Sequence, residues 1–277
     1  MTQSSDRSAA AAGYGDSFAD VYDAWYSDDA SGSTSGDVAG VVALSRRFFT
    51  GDVLELGAGT GRLTLPLARA VAPRRVVALD ASPAMLERLR AKLDATHGAR
   101  NTENRDAENR NTVNIEIVCG DMSDDDVPQG PFSLVVVSYN TVFNLPDEAA
   151  QRRCFATIAA RLTADGACVI DCFVPDDDPA PLGVTRDVRN GVRVVTATYT
   201  DARHRVVNGI TEEHRPTGTV LRPWRVAYAS PDLLDDMAAA ANLRLVERRA
   251  GWNGEIFGES SNRHVSIYAP AHRTLTA

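Results

Sequence analysis

Short apolar runs alternate with amphipathic segments as far as residue 173, and this alternation predicts most of the elements. The strands are expected at residues 52–56, 75–80, 114–118, 132–138 and 166–173. The helices between them are expected at residues 61–72, 83–95 and 147–162. Strands that alternate with helices are typical of a parallel sheet covered by helices on both faces. The chain is therefore predicted to have an α/β fold.

The residues before this alternation are expected to form a tail and a helical cap. Residues 1–13 are predicted to be disordered, and residues 14–50 to form the cap. The cap should contain an aromatic, amphipathic helix at Tyr14–Tyr26 and a second helix at Val38–Phe49. The core of the α/β fold is then expected at residues 51–175.

The pattern changes again after the fifth predicted strand. Residues 176–228 contain several runs with period-two alternation, which predicts an inserted antiparallel β-sheet that serves as a lid, a dimer contact or a substrate wall. Residues 229–277 are expected to complete the core. This part should begin with a helix capped by Ser230 and end with strands at residues 243–249 and 264–269.

A glycine-rich turn follows the first core strand. Gly57, Gly59 and Gly61 form G-x-G-x-G between this strand and a helix. Such a turn lets a ligand approach the backbone closely, and the helix start favours an anionic or carboxylate-bearing group. Dinucleotide-binding turns place a small residue where this chain has Arg62, and an acid such as Glu55 is unusual in them. A nucleotide-like ligand other than a dinucleotide is therefore preferred.

The next two core strands end in carboxylates. Asp80 follows the second strand, where an acid can accept hydrogen bonds from both ribose hydroxyls. Asp121 and Met122 follow the third strand. Carboxyl ends of parallel strands meet at one edge of a sheet, so these residues are expected to surround one crevice with the glycine turn.

These motifs together resemble class I S-adenosylmethionine-dependent methyltransferases, over residues 14–269 of the chain. The resemblance implies a Rossmann-like sheet that ends in a reversed hairpin, and S-adenosyl-L-methionine as the cofactor. In that family the acid after the third strand accepts the exocyclic amine of adenine. In related natural-product enzymes an aromatic N-terminal helix closes over the methionine part of the cofactor. The cofactor-binding residues implied are Tyr14, Tyr22, Glu55, Gly57, Ala58, Gly59, Thr60, Gly61, Asp80, Ala81, Met85, Asp121, Met122 and Ser138.

The segment after the fourth strand is expected to face the methyl acceptor. Tyr139, Asn140 and Asn144 are the candidate catalytic residues, and no histidine or acid occurs before Asp147. Neutral hydrogen-bonding groups suit an amine, because a peptide α-amine with a pKa of roughly 7.7–8.0 has a usable neutral fraction near pH 7. A base could also come from the distant residues His204, His214 and Asp171.

The same segment resembles bacterial natural-product N-methyltransferases. Amino-sugar N,N-dimethyltransferases share the aromatic N-terminal helix but carry a histidine near the position of Asn144. The α-N-methyltransferases of linaridin and daptide peptides share the Asn140-Thr141-x-Phe143 step, so a peptide N-terminal α-amine is the preferred substrate. The candidate substrate-binding residues are Tyr26, Phe143, Arg222, Trp224 and Trp252.

Four other functions stay open at this point. Two are methyl transfer to an amino sugar and O-methylation of a small molecule. The third is a non-catalytic protein that only binds the cofactor. The fourth, a dinucleotide oxidoreductase, is disfavoured by Glu55 and Arg62.

Composition excludes several other classes. The 277 residues carry a net charge of −8 and a single lysine, Lys92, with no basic run. No nucleic-acid partner is expected, since such binding depends on phosphate neutralisation. The four cysteines lack a C-x-x-C pair and are expected to be reduced core residues. No metal-ligand spacing, signal peptide or transmembrane run is found, so a cytoplasmic protein without a metal or membrane partner is expected. A homodimer is left open.

Overall fold

The computed structural model describes residues 13–26, 36–48, 50–100, 113–124 and 126–272. The predicted disordered tail lies outside the described residues except for Gly13, which is helical. Residues 27–35, between the two predicted N-terminal helices, also lie outside them.

The strands alternate with helices along the core, as the sequence pattern predicts. The strands of the described chain are β1 (Val53–Leu56), β2 (Arg75–Asp80), β3 (Asn114–Cys119), β4 (Phe132–Val137), β5 (Leu162–Phe173), β6 (Leu182–Arg189), β7 (Val192–Asp201), β8 (Val206–Arg215), β9 (Gly218–Ala227), β10 (Leu243–Arg249) and β11 (Arg263–Pro270). The helices are α1 (Tyr22–Tyr26), α2 (Asp37–Phe48), α3 (Thr64–Val71), α4 (Pro83–Arg100), α5 (Glu148–Arg161) and α6 (Pro231–Ala240), with a 3-10 helix at Thr141–Asn144.

The main sheet has seven strands in the order β3-β2-β1-β4-β5-β11-β10. The strands from β3 to β5 are parallel, whereas β11 runs antiparallel to β5 and pairs with β10. This reversed final hairpin confirms the fold that the resemblance implies. The strand order reverses between β1 and β4, and ligands of open α/β sheets bind outside the carboxyl ends at such a switch point.

Both faces of the main sheet are buried under helices. Along β1, Leu54 and Leu56 pack into one apolar cluster while Val53 packs into another. The same division occurs in β4, where Val135 and Val136 belong to different clusters. Alternate side chains of a strand point to opposite faces, so a sheet covered on both sides needs a continuous apolar run.

The inserted sheet is antiparallel, with the order β6-β7-β8-β9. Its inner face meets the N-terminal segment, where Val194 packs in one cluster with Phe18 and Trp25. Its outer face carries exposed apolar side chains. These are Leu182, Val184, Val188, Tyr199, Ile210 and Leu221.

Two expectations about local structure are wrong. The aromatic segment is not one helix, because residues 19–21 form a turn between helical residues 13–18 and α1. Cys119 is exposed at the end of β3, whereas Cys154, Cys168 and Cys172 are buried free thiols as expected. Cys119 is the last residue of β3, an edge strand of the main sheet.

Among the described residues, no helix is long and apolar enough to cross a lipid bilayer.

Candidate active site

A cavity of about 530 Å³ lies outside the carboxyl ends of the parallel strands. The main sheet, the N-terminal segment (residues 13–26) and the inserted sheet all contribute to its wall. Fourteen of the residues predicted from the sequence line it: Tyr14, Tyr22, Tyr26, Gly57, Gly59, Asp80, Ala81, Met85, Asp121, Met122, Tyr139, Asn140, Asn144 and Trp224.

The glycine turn forms the floor of this cavity. Gly57 has a φ of 75°, in the left-handed region that favours glycine. The backbone N–H groups of Gly57 and Ala58 donate to the carbonyl of Leu79 at 2.8 and 2.9 Å, which ties the turn to β2. A Cβ on Gly57 would collide with Thr141 Cγ2, so the turn and the segment after β4 are in close contact.

Asp80 fixes the second loop of the site. Its two carboxylate oxygens accept hydrogen bonds from the N–H groups of Gly59 and Ser82, both at 2.8 Å. Burial raises the pKa of Asp80, and these two hydrogen bonds oppose the shift. Asp121 is also buried beside the cavity, and its Oδ1 accepts from Ser123 N at 2.8 Å. Two carboxylates therefore border the crevice on the side of β2 and β3.

Five predicted cofactor residues do not line the cavity: Glu55, Ala58, Thr60, Gly61 and Ser138. Glu55 is buried under the turn and accepts a hydrogen bond from Thr64 Oγ1 at 2.6 Å, and burial raises its pKa to about 8. Thr60 Oγ1 donates to Asp23 at 2.6 Å. A residue of the motif thus shapes the site without facing a ligand.

Aromatic side chains of the N-terminal segment cover the cavity. Tyr14 stacks on Phe18 with ring centres 4.7 Å apart, and Tyr26 meets Tyr139 edge-on at 5.7 Å. Burial raises the pKa of Tyr14 and of Tyr22, so these phenols are neutral and can both donate and accept hydrogen bonds.

Ion pairs and hydrogen bonds hold this segment on both sides. On the core side, Asp23 accepts from Lys92 at 2.7 Å. On the side of the inserted sheet, Asp20 accepts from Arg222 at 2.6 and 2.9 Å. The aromatic wall is therefore clamped between the core and the inserted sheet.

Comparisons with known proteins agree with this geometry. A family model described as "Methyltransferase domain" matches residues 53–166. The CcbJ methyltransferase from Streptomyces caelestis is 28% identical, with a TM-score of 0.79, over 94% of this chain and 98% of that one. The protein is an S-adenosylmethionine-dependent methyltransferase.

Two more distant structures share the fold. CalS10, an amino pentose methyltransferase from Micromonospora echinaspora solved with S-adenosylmethionine, is 19% identical, with a TM-score of 0.60, over 84% of this chain and 89% of that one. The glycopeptide N-methyltransferase MtfA, also solved with S-adenosylmethionine, is 19% identical, with a TM-score of 0.54, over 85% of this chain and 88% of that one. No protein of curated function matches the chain significantly.

The described residues of the methyltransferase fit this cofactor. Gly59 leaves open space beside the cavity, because a Cβ there would meet only Met85 Sδ, at 4.0 Å. Two buried carboxylates border the cavity and can accept hydrogen bonds from a nucleoside, and neutral phenols form part of its wall. The comparisons thus favour a methyltransferase over the dinucleotide oxidoreductase that the sequence left open.

The substrate half of the cavity is formed by residues after β4 and β5 and by the inserted sheet. Among the described residues of this half, Arg189 is the only charged one. Its guanidinium lies 4.9 Å from the ring centre of Trp25 and donates to Asp187 at 3.2 Å. No carboxylate or imidazole of the described chain lines this half.

Sequence reasoning missed most of the inserted-sheet wall. Thr185, Thr196 and Thr211 face the cavity from three neighbouring strands, directly opposite one another in register. Trp224 Nε1 donates to Thr211 Oγ1 at 3.2 Å. The period-two pattern of these strands holds the signal, because these positions share the inward face. No motif marks them, and Phe173 and Arg189 were missed for the same reason.

Three predicted substrate residues do not line the cavity. Phe143 is fully buried and packs edge-on against Phe173 at 5.0 Å. Arg222 is buried between Asp20 and Glu213, to which it is paired at 2.6 and 2.7 Å. Trp252 packs against α2. These side chains contact neighbours within the fold and not the cavity.

The three alternative bases do not line the cavity either. His204 lies in the turn between β7 and β8 and pairs with Asp201 at 2.7 Å. His214 Nδ1 lies 3.5 Å from the guanidinium of Arg193. Asp171 is buried and already accepts hydrogen bonds from several donors. None of these groups is placed to remove a proton from a ligand in the cavity.

Asn140 has its orientation fixed by the backbone. Its Oδ1 accepts a hydrogen bond from Phe173 N at 2.7 Å. A backbone N–H can only donate, so the amide oxygen must be the acceptor here. The amide nitrogen keeps its two N–H donors, and Asn140 lines the cavity.

Proposed function

We propose that the methyltransferase N-methylates an amine of a natural product. The observation that supports this proposal is the substrate half of the cavity, whose described residues offer hydroxyls, amides and one guanidinium but no carboxylate or imidazole. Transfer to a hydroxyl needs a general base close to the nucleophile. An amine needs only its neutral form, and the proton lost after transfer can leave to water. O-methylation is therefore the weaker alternative.

The bound cofactor supplies the methyl group as a sulfonium, and the residues of this chain hold both partners in line. Asp80 would accept the ribose hydroxyls and Asp121 the exocyclic amine of adenine. The turn at Gly57 would lie against the methionine part. Both carboxylates are buried, which strengthens hydrogen bonds to them because competing water is excluded. Positioning then provides most of the rate enhancement.

The acceptor amine must keep its lone pair free and give its N–H bonds to oxygen acceptors. Asn140 is a weaker candidate for that role, because its amide oxygen already accepts a hydrogen bond from Phe173 N. We assign the acceptor role to the phenol of Tyr139 and the amide oxygen of Asn144. Asn140 would donate to an oxygen of the substrate or of the cofactor. The three residues therefore have different roles.

The peptide α-amine remains the first substrate class proposed, on the resemblance of residues 139–145 to peptide N-methyltransferases. An amino sugar is the second, because the threonine hydroxyls of β6, β7 and β8 both donate and accept, as sugar hydroxyls do. Similarity in fold to a glycopeptide N-methyltransferase and to an amino pentose methyltransferase supports amines of both classes.

The test is a screen of short peptides, amino sugars and matched hydroxyl compounds with S-adenosylmethionine, read by mass spectrometry. We expect methylated products from amines alone. The acid limb of kcat/KM should follow the pKa of the acceptor amine when amines of different basicity are compared. Turnover of hydroxyl compounds in preference to amines would refute the proposal. An acid limb of kcat/KM whose pKa does not change with that of the acceptor amine would also refute it.

Tyr139→Phe provides the matched variant, since it removes the proposed acceptor and keeps the ring that contacts Tyr26. We expect kcat to fall about tenfold or more with little change in cofactor affinity. Unchanged kcat would remove Tyr139 from the reaction.

A further inference from the structure

Asp171 in β5 joins the active site to the final hairpin of the sheet. It is 1% exposed. From the end of β4 it accepts hydrogen bonds from Ser138 Oγ and Tyr139 N, both at 3.2 Å. From the hairpin it accepts from Trp252 Nε1 at 3.1 Å and from Arg263 Nε and Nη2 at 2.7 and 2.5 Å. One buried carboxylate therefore connects two parts of the fold.

The segment that Asp171 holds has an unusual backbone. Tyr139 and Asn140 have φ values of 58° and 64°, in the left-handed region that residues with a Cβ seldom adopt. The N–H of Asn140 donates to the carbonyl of Asp171 at 2.8 Å, and the N–H of Phe173 donates back to Asn140 Oδ1. Such a conformation persists only where its surroundings fix it.

The carboxylate of Asp171 and its donors in the hairpin lie outside the cavity. Tyr139 and Asn140 line the cavity, whereas Asp171, Trp252 and Arg263 do not. The Trp252 ring packs against the backbone of Gly40 in α2, and its Nε1 donates to the carboxylate. The hydrogen bond to Asp171 is the polar contact by which Trp252 can act on the segment after β4.

We propose that Asp171 is a positioning residue that, held by Trp252 and Arg263, sets Tyr139 and Asn140 in the orientation that methyl transfer requires. This inference rests on the proposed function in one respect, namely that Tyr139 and Asn140 face the acceptor. Asp171 is not a base, because its two oxygens already share five donor groups, including a bidentate guanidinium.

Trp252→Phe is the mildest test, because it deletes one donor to Asp171 and keeps most of the apolar packing. Tyr268→Phe is the matched control. It also removes a buried donor from the end of the sheet, the phenol that binds Asp235 at 2.8 Å, but it lies in a different polar cluster. We expect Trp252→Phe to lower kcat at least about threefold while the KM for the acceptor changes less, and Tyr268→Phe to leave both unchanged.

Asp171→Asn and the pair Arg263→Lys and Arg263→Met extend the test. The Asp171→Asn variant should have a lower kcat. It should keep the acid limb of the pH profile, because that limb belongs to the acceptor amine. Lysine at position 263 keeps the charge and should recover part of the kcat that methionine loses. A lost acid limb in Asp171→Asn would make Asp171 a base and overturn the proposal.

Binding measurements with the cofactor separate this inference from the proposed function. If the wild type methylates no amine, the proposed function fails, and the ratio of the Kd values of S-adenosylmethionine and S-adenosylhomocysteine becomes the readout. These ligands differ at the methyl group that the segment would face. Trp252→Phe should change the ratio about threefold or more, and Tyr268→Phe should not. Where an acceptor is found, a Trp252→Phe protein that is less stable but has an unchanged kcat would overturn the inference. Where no acceptor is found, loss of stability with an unchanged ratio of Kd values would do the same. Either result would show that Trp252 has a purely structural role.

Discussion

The close contact between Gly57 and Thr141 makes a quantitative prediction about the glycine turn. Gly57 has a φ of 75°, and a Cβ there would collide with Thr141 Cγ2. Gly191, in the turn between β6 and β7, has almost the same φ, 76°, but a Cβ there would meet nothing within 4 Å. Gly57→Ala and Gly191→Ala therefore carry the same backbone strain and differ in the steric clash.

The magnitudes follow from these two terms. An alanine in the left-handed region costs about 1–2 kcal/mol, partly offset by the lower entropy of the unfolded chain. Gly191→Ala should therefore lower the free energy of unfolding by about 1 kcal/mol. Gly57→Ala adds overpacking of about 1–3 kcal/mol. It should also weaken S-adenosylmethionine binding by about tenfold, because the turn must move from the position that Leu79 fixes.

The double variant Gly57→Ala/Thr141→Ser tests the cause directly. Serine lacks the Cγ2 atom and keeps the hydroxyl that donates to Ser138 O at 2.6 Å. Denaturant unfolding and calorimetric titration should show recovery of most of the stability difference between Gly57→Ala and Gly191→Ala. Recovery is expected to be incomplete, because the Oγ1 and Cβ atoms of Thr141 would still lie 3.1 and 3.2 Å from the new Cβ. Equal destabilisation by the two single variants, or no recovery in the double variant, would refute the steric argument.

Three further predictions concern other parts of the protein. Asp80→Asn should weaken S-adenosylmethionine binding tenfold or more, because charge-assisted hydrogen bonds are worth roughly 1.5–3 kcal/mol, and calorimetry against the wild type measures it. Glu55 keeps its proton in the folded state up to a pKa of about 8 but loses it near 4.5 when unfolded, so stability should fall as pH rises through this window. Glu55→Gln should flatten that dependence in denaturant unfolding, and an unchanged slope would contradict the assignment. The exposed apolar face of the inserted sheet should form a homodimer, so Leu182→Asp should give monomers in light scattering. Ile256→Asp changes a 93% exposed position outside the inserted sheet and should leave the dimer intact. Equal masses of the Leu182→Asp and wild-type proteins would argue against this interface.

The sequence predicted the parts of the fold whose signal is local. Each core strand is a continuous apolar run between turn residues. The predicted range of β2, residues 75–80, agrees with the observed strand, Arg75–Asp80. The turn at residues 19–21 was missed, because the helical spacing of apolar residues continues across it while Phe18 and Trp25 pack against the inserted sheet. Tertiary packing decided the conformation there.

The cofactor half of the cavity was predictable for the same reason, and the substrate half was not. Gly57, Asp80 and Asp121 are fixed by their place at strand ends, which the sequence shows directly. Trp252 and Arg222 were chosen by residue type, as large or charged groups in the variable part of the chain. Both side chains donate to residues that lie far away in sequence: Trp252 donates to Asp171 and Arg222 to Asp20.

The same physical difference explains why Asp171 escaped a correct assignment. A carboxylate near a candidate site suggests a base as long as its partners are unknown. Trp252 and Arg263 follow it by 81 and 92 residues, and only the pairing of β11 with β5 brings them together. Once five donor groups surround the carboxylate, proton transfer is no longer available to it, and its influence on the reaction can only be geometric. Long-range pairing thus turns a candidate base into a support for Tyr139 and Asn140.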